Sequence, residues 1–249
     1  MSNFNKYSRY YDLLYKDKNY TSEAEYVLNL AKNYNKECNK FLELGCGTGN
    51  HAAVLCNKGF SVVGLERSEE MVALAKQKNI SNFNPQVADI TNFNINEKFD
   101  VALSLFHVIS YLTDNEQLIN CFNTVHQHLN INGIFIFDVW YSPAVYIQKP
   151  ETRVKRISDE QIDVTRIAES TVYYNKNVVD VNYTIFIQDK TTKITEVHHE
   201  THPMRHFSKP EIELLATQTN FKLLQAEEFG TANSPSEKTW GVCMVLRKK

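Results

Sequence analysis

Apolar side chains at Ala24, Val27, Leu28 and Ala31 recur at helical spacing between Tyr20 and Asn33, so this stretch forms a helix with one buried stripe. The pattern then shortens. Lys40 to Leu44 is a brief apolar run that ends in glycines, Ala52 to Cys56 returns to helix, and Phe60 to Leu65 reads as a second strand. Ser68 caps a helix from Glu69 to Lys78, because a serine oxygen accepts from free backbone N–H groups and two glutamates suit the positive helix end. A short strand near Gln86 to Ala88 follows, then a clear one from Phe99 to Leu105, a helix from Asn115 to His128 and a strong strand from Gly133 to Asp138. Strand and helix alternating in this way imply a parallel sheet covered on both faces.

After Asp138 the period changes. Val164 to Tyr174, Val178 to Gln188 and Lys193 to Met204 are β-rich runs, separated by turn-like segments at Asn175 to Asn177 and Asp189 to Thr192. They predict a three-stranded antiparallel insertion, a candidate lid. Ser208 and Pro210 then open a helix through Thr219, and Phe221 to Glu227 and Trp240 to Leu246 look like closing strands. The expected architecture is α/β: a doubly wound, Rossmann-like, mostly parallel sheet with an antiparallel closing strand. Its main domain comprises residues 1–138 and 208–249, and residues 139–207 form the lid.

Composition narrows the function. With 43% hydrophobic and 22% charged residues the chain is globular rather than disordered. A formal net charge of −2 offers no bulk attraction to a nucleic-acid polymer or an anionic membrane. No window approaches the roughly 18 apolar residues that span a bilayer, and the first ten residues lack a basic-then-apolar order, so a cytoplasmic protein is expected. Five scattered cysteines without a CxxC pair (Cys38, Cys46, Cys56, Cys121, Cys243) read as reduced packing residues.

The segment Glu43, Leu44, Gly45, Cys46, Gly47, Thr48, Gly49, Asn50 follows a strand and opens a helix. In that setting glycines let the backbone turn tightly and approach a ligand closely, although glycines alone are equally consistent with a plain tight loop. Two further carboxylates tip the balance. Glu66 ends the second strand 17 residues after Gly49, where it can accept from both hydroxyls of a ribose, and Asp89 follows the third strand, where it can meet an exocyclic amine while Ile90 packs on a purine face.

These residues resemble the class I S-adenosylmethionine-dependent methyltransferases, whose first motif reads much like LELGCGTG and whose second strand ends much like GLERSEEM. The likeness spans roughly Phe41 to Asp138. It implies S-adenosylmethionine as cofactor, with Gly45, Gly47 and Gly49 lining the methionine portion, Glu66 holding the ribose, Asp89 and Ile90 contacting the adenine, and Glu43, Cys46, Arg67, Met71 and Leu105 as further cofactor-binding candidates. A nicotinamide dehydrogenase shares the glycine-rich turn and the acidic strand end. Its fingerprint is GxGxxG, whereas this loop runs GxGxG.

Upstream, Tyr11, Asp12, Tyr15, Lys18, Tyr20, Glu23 and Ala24 spell YDxxYxxKxYxxEA. Such a tyrosine-rich segment can simply cover apolar surface. The pattern also resembles the leader of the methyltransferases that make N,N-dimethylated aminosugars on nucleotide carriers, in which the segment closes over the cofactor. That resemblance continues at FHVISYL (Phe106 to Leu112) and DVWYSP (Asp138 to Pro143), and implies Tyr11 and Tyr20 near the cofactor with Tyr111 and Trp140 facing the acceptor. His107 departs from the small residue of those enzymes, Asp138 from their Glu, and HHETHPMRHF (His198 to Phe207) follows them only loosely.

A sulfonium methyl is already activated, so the protein must align acceptor, methyl and sulfur and exclude water. An amine must arrive neutral, whereas a hydroxyl needs a general base. His107 and Tyr111, just past the carboxyl end of the fourth strand, together with His202, are the candidates for that proton work. Asp138, Trp140, Arg205 and His206 are candidate acceptor contacts, Arg205 through a phosphate and its planar fork, with Lys238 a weaker candidate of the same kind. His198, Glu200 and His202 alternate onto one strand face, yet methyl transfer needs no cation, so no metal is expected.

The expected activity is N-methylation of an aminosugar carried by a nucleotide, with O-methylation of a sugar or related unit of a surface glycan as the alternative. A binding module that senses the cofactor without turnover stays open, as does a homodimer. A nucleic-acid or protein methyltransferase is disfavoured, since Asp100 to Leu105 lacks the acidic, proline-centred tetrapeptide of many base amine methylators.

Overall fold

Successive residues of the first strand, β1 (Lys40–Leu44), point into two different cores, and this alternation organises the protein. The computed structural model describes residues 8–249, apart from the side chains of Ser8, Arg9 and Tyr11, so the expectation placed on Tyr11 lies outside the described residues. Parallel strands β1, β2 (Ser61–Glu66), β3 (Phe83–Val87), β4 (Phe99–Ser104) and β5 (Leu129–Tyr141) line up in the order β3-β2-β1-β4-β5. β10 (Phe221–Glu228) and β11 (Gly241–Lys248) close this sheet, with β11 antiparallel to β5.

On one face Leu42, Leu44, Val63, Leu65, Ala102, Phe135 and Phe137 pack beneath α5 (Asn115–His128) and α7 (Lys209–Gln218). On the other, Phe41, Val62, Val101, Leu103, Ile134 and Ile136 pack beneath α2 (Tyr20–Tyr34) and α3 (Asn50–Asn57). Near-continuous apolar strands are what a sheet covered on both sides requires. The five cysteines are buried and free, four of them within these two cores.

Four helix starts have a local chemical cause in a capping side chain. Ser68 Oγ accepts from Met71 N at the head of α4 (Glu69–Gln77), and Ser208 Oγ accepts from Glu211 N at the head of α7, where Pro210 needs no donor. Asn19 and Asp114 cap α2 and α5 in the same manner.

The antiparallel unit carries one strand more than the three expected. β7 (Ile162–Tyr173), β8 (Val178–Asp189) and β9 (Thr195–Phe207) form the anticipated meander, and β6 (Arg153–Ser158) pairs with the outer edge of β7. β6 is mostly polar and exposed, as an edge strand is, so its pattern did not stand out. Two short helices, α1 (Ser8–Leu14) and α6 (Ser142–Gln148), are likewise additional.

The joint between the two sheets fixes where a ligand can sit. Trp140 of β5 pairs with Gly241 of β11 on one edge and with His206 of β9 on the other. β4 stops pairing with β5 at Phe137, so β9 takes over the edge that β4 vacates, and the second sheet rises directly from the carboxyl ends of the parallel strands. In open α/β sheets that end is where ligands bind.

Candidate active site

β1 delivers the glycine turn. Gly45 N and Cys46 N both donate to Leu65 O, at 2.7 and 3.0 Å, and Gly45 and Gly47 hold φ of +70° and +54°, a region costly for residues with a side chain. A Cβ on Gly45 would stand 2.6 Å from Val108 Cγ2, so glycine there also lets the Val108–Tyr111 helical turn abut the loop. Among the described residues, a Cβ on Gly47 would meet only Met71 Sδ, at 3.9 Å, which leaves this stretch of backbone open.

That open backbone borders a cavity of about 310 Å³, within the usual size range of ligand sites. Gly45, Gly47, Glu66, Arg67, Met71, Asp89 and Ile90 line one end. Glu66 accepts from Gly47 N at 3.1 Å and from Ser68 N at 2.9 Å, which orients the carboxylate and leaves each oxygen further accepting capacity. Asp89 uses only Oδ1 to accept from Thr91 N and Oγ1.

Glu43, Cys46, Gly49, Tyr20 and Leu105 stand behind this lining rather than in it. Cys46 Sγ packs where a Cβ on Gly64 would be, and Gly49 begins α3. Glu43 is fully buried, with Oε2 lacking any partner and Oε1 3.7 Å from His51 Nδ1. Burial pushes its carboxyl up to about 7, with His51 opposing and Glu66 adding to the rise. His51 in turn lies 2.8 Å from Glu23, which pairs with Lys18, and Tyr20 stands edge-on to the His51 ring.

The other end of the cavity is aromatic: Tyr15, Phe106, His107, Tyr111, Trp140, Tyr183 and His202. Phe106 and His107 adopt φ of +66° and +61° in succession, a conformation that costs a non-glycine residue about 1–3 kcal/mol and persists only where neighbours enforce it. Asp138 supplies the enforcement. Its Oδ1 accepts from His107 N at 3.1 Å and its Oδ2 lies 2.7 Å from His107 Nδ1. Burial alone would raise the Asp138 carboxyl, but the His107 charge and hydrogen bonds outweigh it and hold the group below its ordinary value.

On the facing wall Tyr111 Oη is 2.8 Å from His202 Nδ1, and His202 Nε2 is 3.1 Å from Glu200 Oε2. Tyr10 of α1 donates to Glu200 Oε1 at 3.1 Å. Thus His107, Tyr111, His202 and Trp140 come together at the cavity, and Asp138 stands just behind it.

Arg205 and His206 lie elsewhere. The Arg205 guanidinium bonds Glu211 at 2.6 Å and Asn115 at 2.7 Å and borders a separate, more open groove. His206 is wholly buried against Ser142, and burial pulls its pKa down to about 4. His198 pairs with Glu196 rather than joining His202, and among the described residues no three metal-ligating groups converge.

Tyr15, Tyr183, Val181 and Met204 line the cavity without having been singled out for the acceptor. Tyr15 had a signal, its place in the leader pattern. Tyr183 had none, because a tyrosine on a strand is ordinary.

A family model for a methyltransferase domain matches residues 41–133. An uncharacterised methyltransferase of Bacillus cytotoxicus is 30% identical over 169 residues, which cover 65% of this chain and 79% of that protein. A dTDP-3-amino-3,4,6-trideoxy-alpha-D-glucopyranose N,N-dimethyltransferase of Streptomyces venezuelae is 25% identical over 76% of this chain and 80% of its own length. Among solved structures, an S-adenosylmethionine-dependent methyltransferase from Clostridium acetobutylicum shares the fold over 99% of both chains, with a TM-score of 0.82 and 23% identity. A sugar N-methyltransferase from Streptoalloteichus does so over 96% of this chain and 93% of its own, with a TM-score of 0.81 and 22% identity. This chain belongs to the S-adenosylmethionine-dependent methyltransferase family.

Proposed function

We propose that the enzyme methylates the amino nitrogen of a sugar carried on a nucleotide. The observation that carries this reading is a single cavity whose lining runs from Gly45, Glu66 and Asp89 to the rings of His107, Tyr111, Trp140 and His202. One end suits the methyl donor and the other a small polar acceptor.

The residues fit the donor. Just behind the lining, Glu43 keeps a buried carboxylate oxygen without a partner among the described residues, which places negative charge next to an ammonium group, and the open backbone at Gly47 leaves room for an amino-acid end. Glu66 retains accepting capacity for a ribose, and Asp89 for an exocyclic amine, with Ile90 beside it. When bound, S-adenosylmethionine supplies a methyl group activated by its sulfonium. The chain supplies alignment and exclusion of water, for which proximity and orientation can provide about 7 to 11 kcal/mol. Residues 139–207 act in this reading as the lid over the acceptor.

Relatives that methylate dTDP-linked aminosugars support nitrogen as the acceptor atom. O-methylation of a sugar hydroxyl is the second reading, and a specific observation favours it: His107, oriented by Asp138, has the arrangement of a general base. The deciding experiment incubates the purified enzyme with methyl-labelled S-adenosylmethionine and a panel of nucleotide-linked aminosugars and neutral sugars, then weighs the products. Label on an aminosugar that persists in His107→Ala supports N-methylation. Label only on neutral sugars, lost in His107→Ala, overturns it.

A further inference from the structure

The row of groups behind Tyr111 has a polarity that can be worked out from its donors and acceptors. Glu200 Oε1 accepts from the Tyr10 hydroxyl, and Glu200 Oε2 faces His202 Nε2 at 3.1 Å. A carboxylate only accepts, so Nε2 carries the ring proton. Nδ1 is then the bare nitrogen, and the Tyr111 hydroxyl 2.8 Å away must donate to it. The phenol oxygen keeps lone pairs for the cavity that Tyr111 lines. Burial raises the Tyr111 hydroxyl far above its ordinary value, so it does not ionise alone and can only pass a proton along.

We infer that Glu200 is a positioning residue that fixes His202 as the proton sink behind Tyr111, and that Tyr10 completes the unit from the leader helix. The inference rests on the reading of the cavity as a site of methyl transfer to an amine. As the nitrogen–carbon bond forms and the carbon–sulfur bond breaks, its electron pair stays on sulfur and the acceptor nitrogen becomes positive. The nitrogen's proton moves to Tyr111 Oη while the tyrosine's own proton moves to His202 Nδ1. The amine leaves neutral, and the imidazolium formed is paired with the Glu200 carboxylate. Each further methylation needs the same proton removed, once the imidazolium has returned its proton to solvent.

The surroundings are consistent with a dry relay. Glu200 and His202 are 8% and 4% exposed, and Tyr10 is fully buried. Among the described residues, other polar rings and charges facing the unit include Tyr183, edge-on to His202, Tyr15, and Glu66 acting on Tyr111, with Arg166 lying over the Tyr183 ring and donating to Tyr15 Oη. Arg166 opposes the charge of Glu200 at the Tyr10 hydroxyl.

Tyr10 also gives the relay a condition. Its helix is fastened on one side to the glycine turn, where Thr48 Oγ1 donates to Asp12 at 2.8 Å, and on the other to the second sheet, where Lys155 donates to Leu14 O. The carboxylate is therefore fully oriented only when the leader is docked against both halves of the protein.

The test uses the full-length enzyme labelled with ¹⁵N at histidine, with Tyr111→Phe, Glu200→Gln and Tyr10→Phe as variants. Nitrogen chemical shifts read the His202 tautomer without any substrate, and Glu200→Gln keeps the shape if Glu200→Ala does not fold. The wild type should show a single Nε2–H tautomer. Glu200→Gln should mix or invert it, because an amide can donate where the carboxylate could only accept. Kinetics with dTDP-3-amino-3,4,6-trideoxy-α-D-glucopyranose as probe should then show kcat reduced about 100-fold in Tyr111→Phe and in Glu200→Gln, with KM little changed. Members of one unit are not additive, so the double variant should be no slower than either single one. Tyr10→Phe should move both readouts the same way, but less. An unchanged tautomer in Glu200→Gln, or losses that multiply in the double variant, would overturn the relay. A wild type that leaves the probe unmethylated counts against the aminosugar reading, and the tautomer result still decides the relay.

Discussion

The two ends of the cavity are built in opposite ways. At the glycine-turn end the contacts are local: Glu66 accepts from Gly47 N, 19 residues away, and from Ser68 N, two residues away. At the aromatic end the contacts are remote, with Tyr111 and His202 separated by 91 residues and Tyr10 and Glu200 by 190. The first end needs only a strand, a turn and a second strand in register. The second needs the leader, the turn after β4 and the antiparallel sheet docked together. On the proposed reading, acceptor preference can therefore change through substitutions in the second sheet and the leader while the glycine-turn end keeps its geometry.

The largest expected effect tests the local end. Glu66→Ala removes an oriented carboxylate, and hydrogen bonds to charged groups are worth about 1.5 to 3 kcal/mol each, so two of them correspond to an affinity loss of roughly 100-fold or more for S-adenosylmethionine. Isothermal titration calorimetry reads this directly. An affinity within threefold of wild type would mean that the ribose does not lie against Glu66, and the local end would lose its anchor.

Next in size is the remote end. Asp138→Asn keeps the shape but removes the charge that holds His107 in its left-handed conformation, and should cost about 2 kcal/mol of stability in denaturant unfolding. The pH dependence has a definite sign. The folded Asp138 carboxyl lies below its unfolded value near 3.8, so its contribution is present above that value and is lost as pH falls through the folded one. Stability of the variant should fall less steeply on the acid side than that of the wild type.

This contrast also explains what could be read in advance. The parallel half of the fold was legible because each strand is a short apolar run whose neighbours feed the two cores, as Leu42 and Phe41 do. Gly45, Gly47, Glu66 and Asp89 were legible as neighbours because each follows or ends a strand of the parallel sheet at the same edge, where they line one cavity. The Asp138–His107 clamp was half legible: His107 lies just past the end of β4 and Asp138 near the end of the adjacent β5, yet only the left-handed backbone at Phe106 and His107 brings the imidazole onto the carboxylate. Glu200 and Tyr10 were not legible as a pair, since nothing along the chain relates the leader helix to β9. Arg205 illustrates the converse, an attractive guanidinium in the sequence that the fold spends on Glu211 and Asn115.

A smaller effect follows from Glu43, which belongs to the local end but is reached by the leader through His51, Glu23 and Lys18. With its carboxyl raised to about 7, the folded apo protein holds a proton there that the unfolded chain releases near 4.5, so stability declines as pH rises between those values. An ammonium group on the ligand needs the ionised form. Affinity for S-adenosylmethionine should thus rise about tenfold from pH 6 to pH 8, as the ionised fraction climbs across a midpoint of 7, and Glu43→Gln should flatten that rise. A wild-type affinity that is level over this range would remove Glu43 from the ligand's surroundings.

The smallest expected effect is the one that best separates the two ends from the rest of the surface. Arg205→Ala breaks bonds to Glu211, Asn115 and the Thr113 carbonyl, which tie β9 to the start of α5 and α7, and should cost about 1 kcal/mol of stability. It borders the separate groove, not the cavity, so KM for a nucleotide-linked acceptor should stay within about threefold of wild type, a difference near 0.65 kcal/mol. A tenfold rise in KM with kcat unchanged would mean that the guanidinium leaves Glu211 to meet a phosphate. In that case the remote end would extend over the outer face of the second sheet, and acceptor recognition would span both grooves.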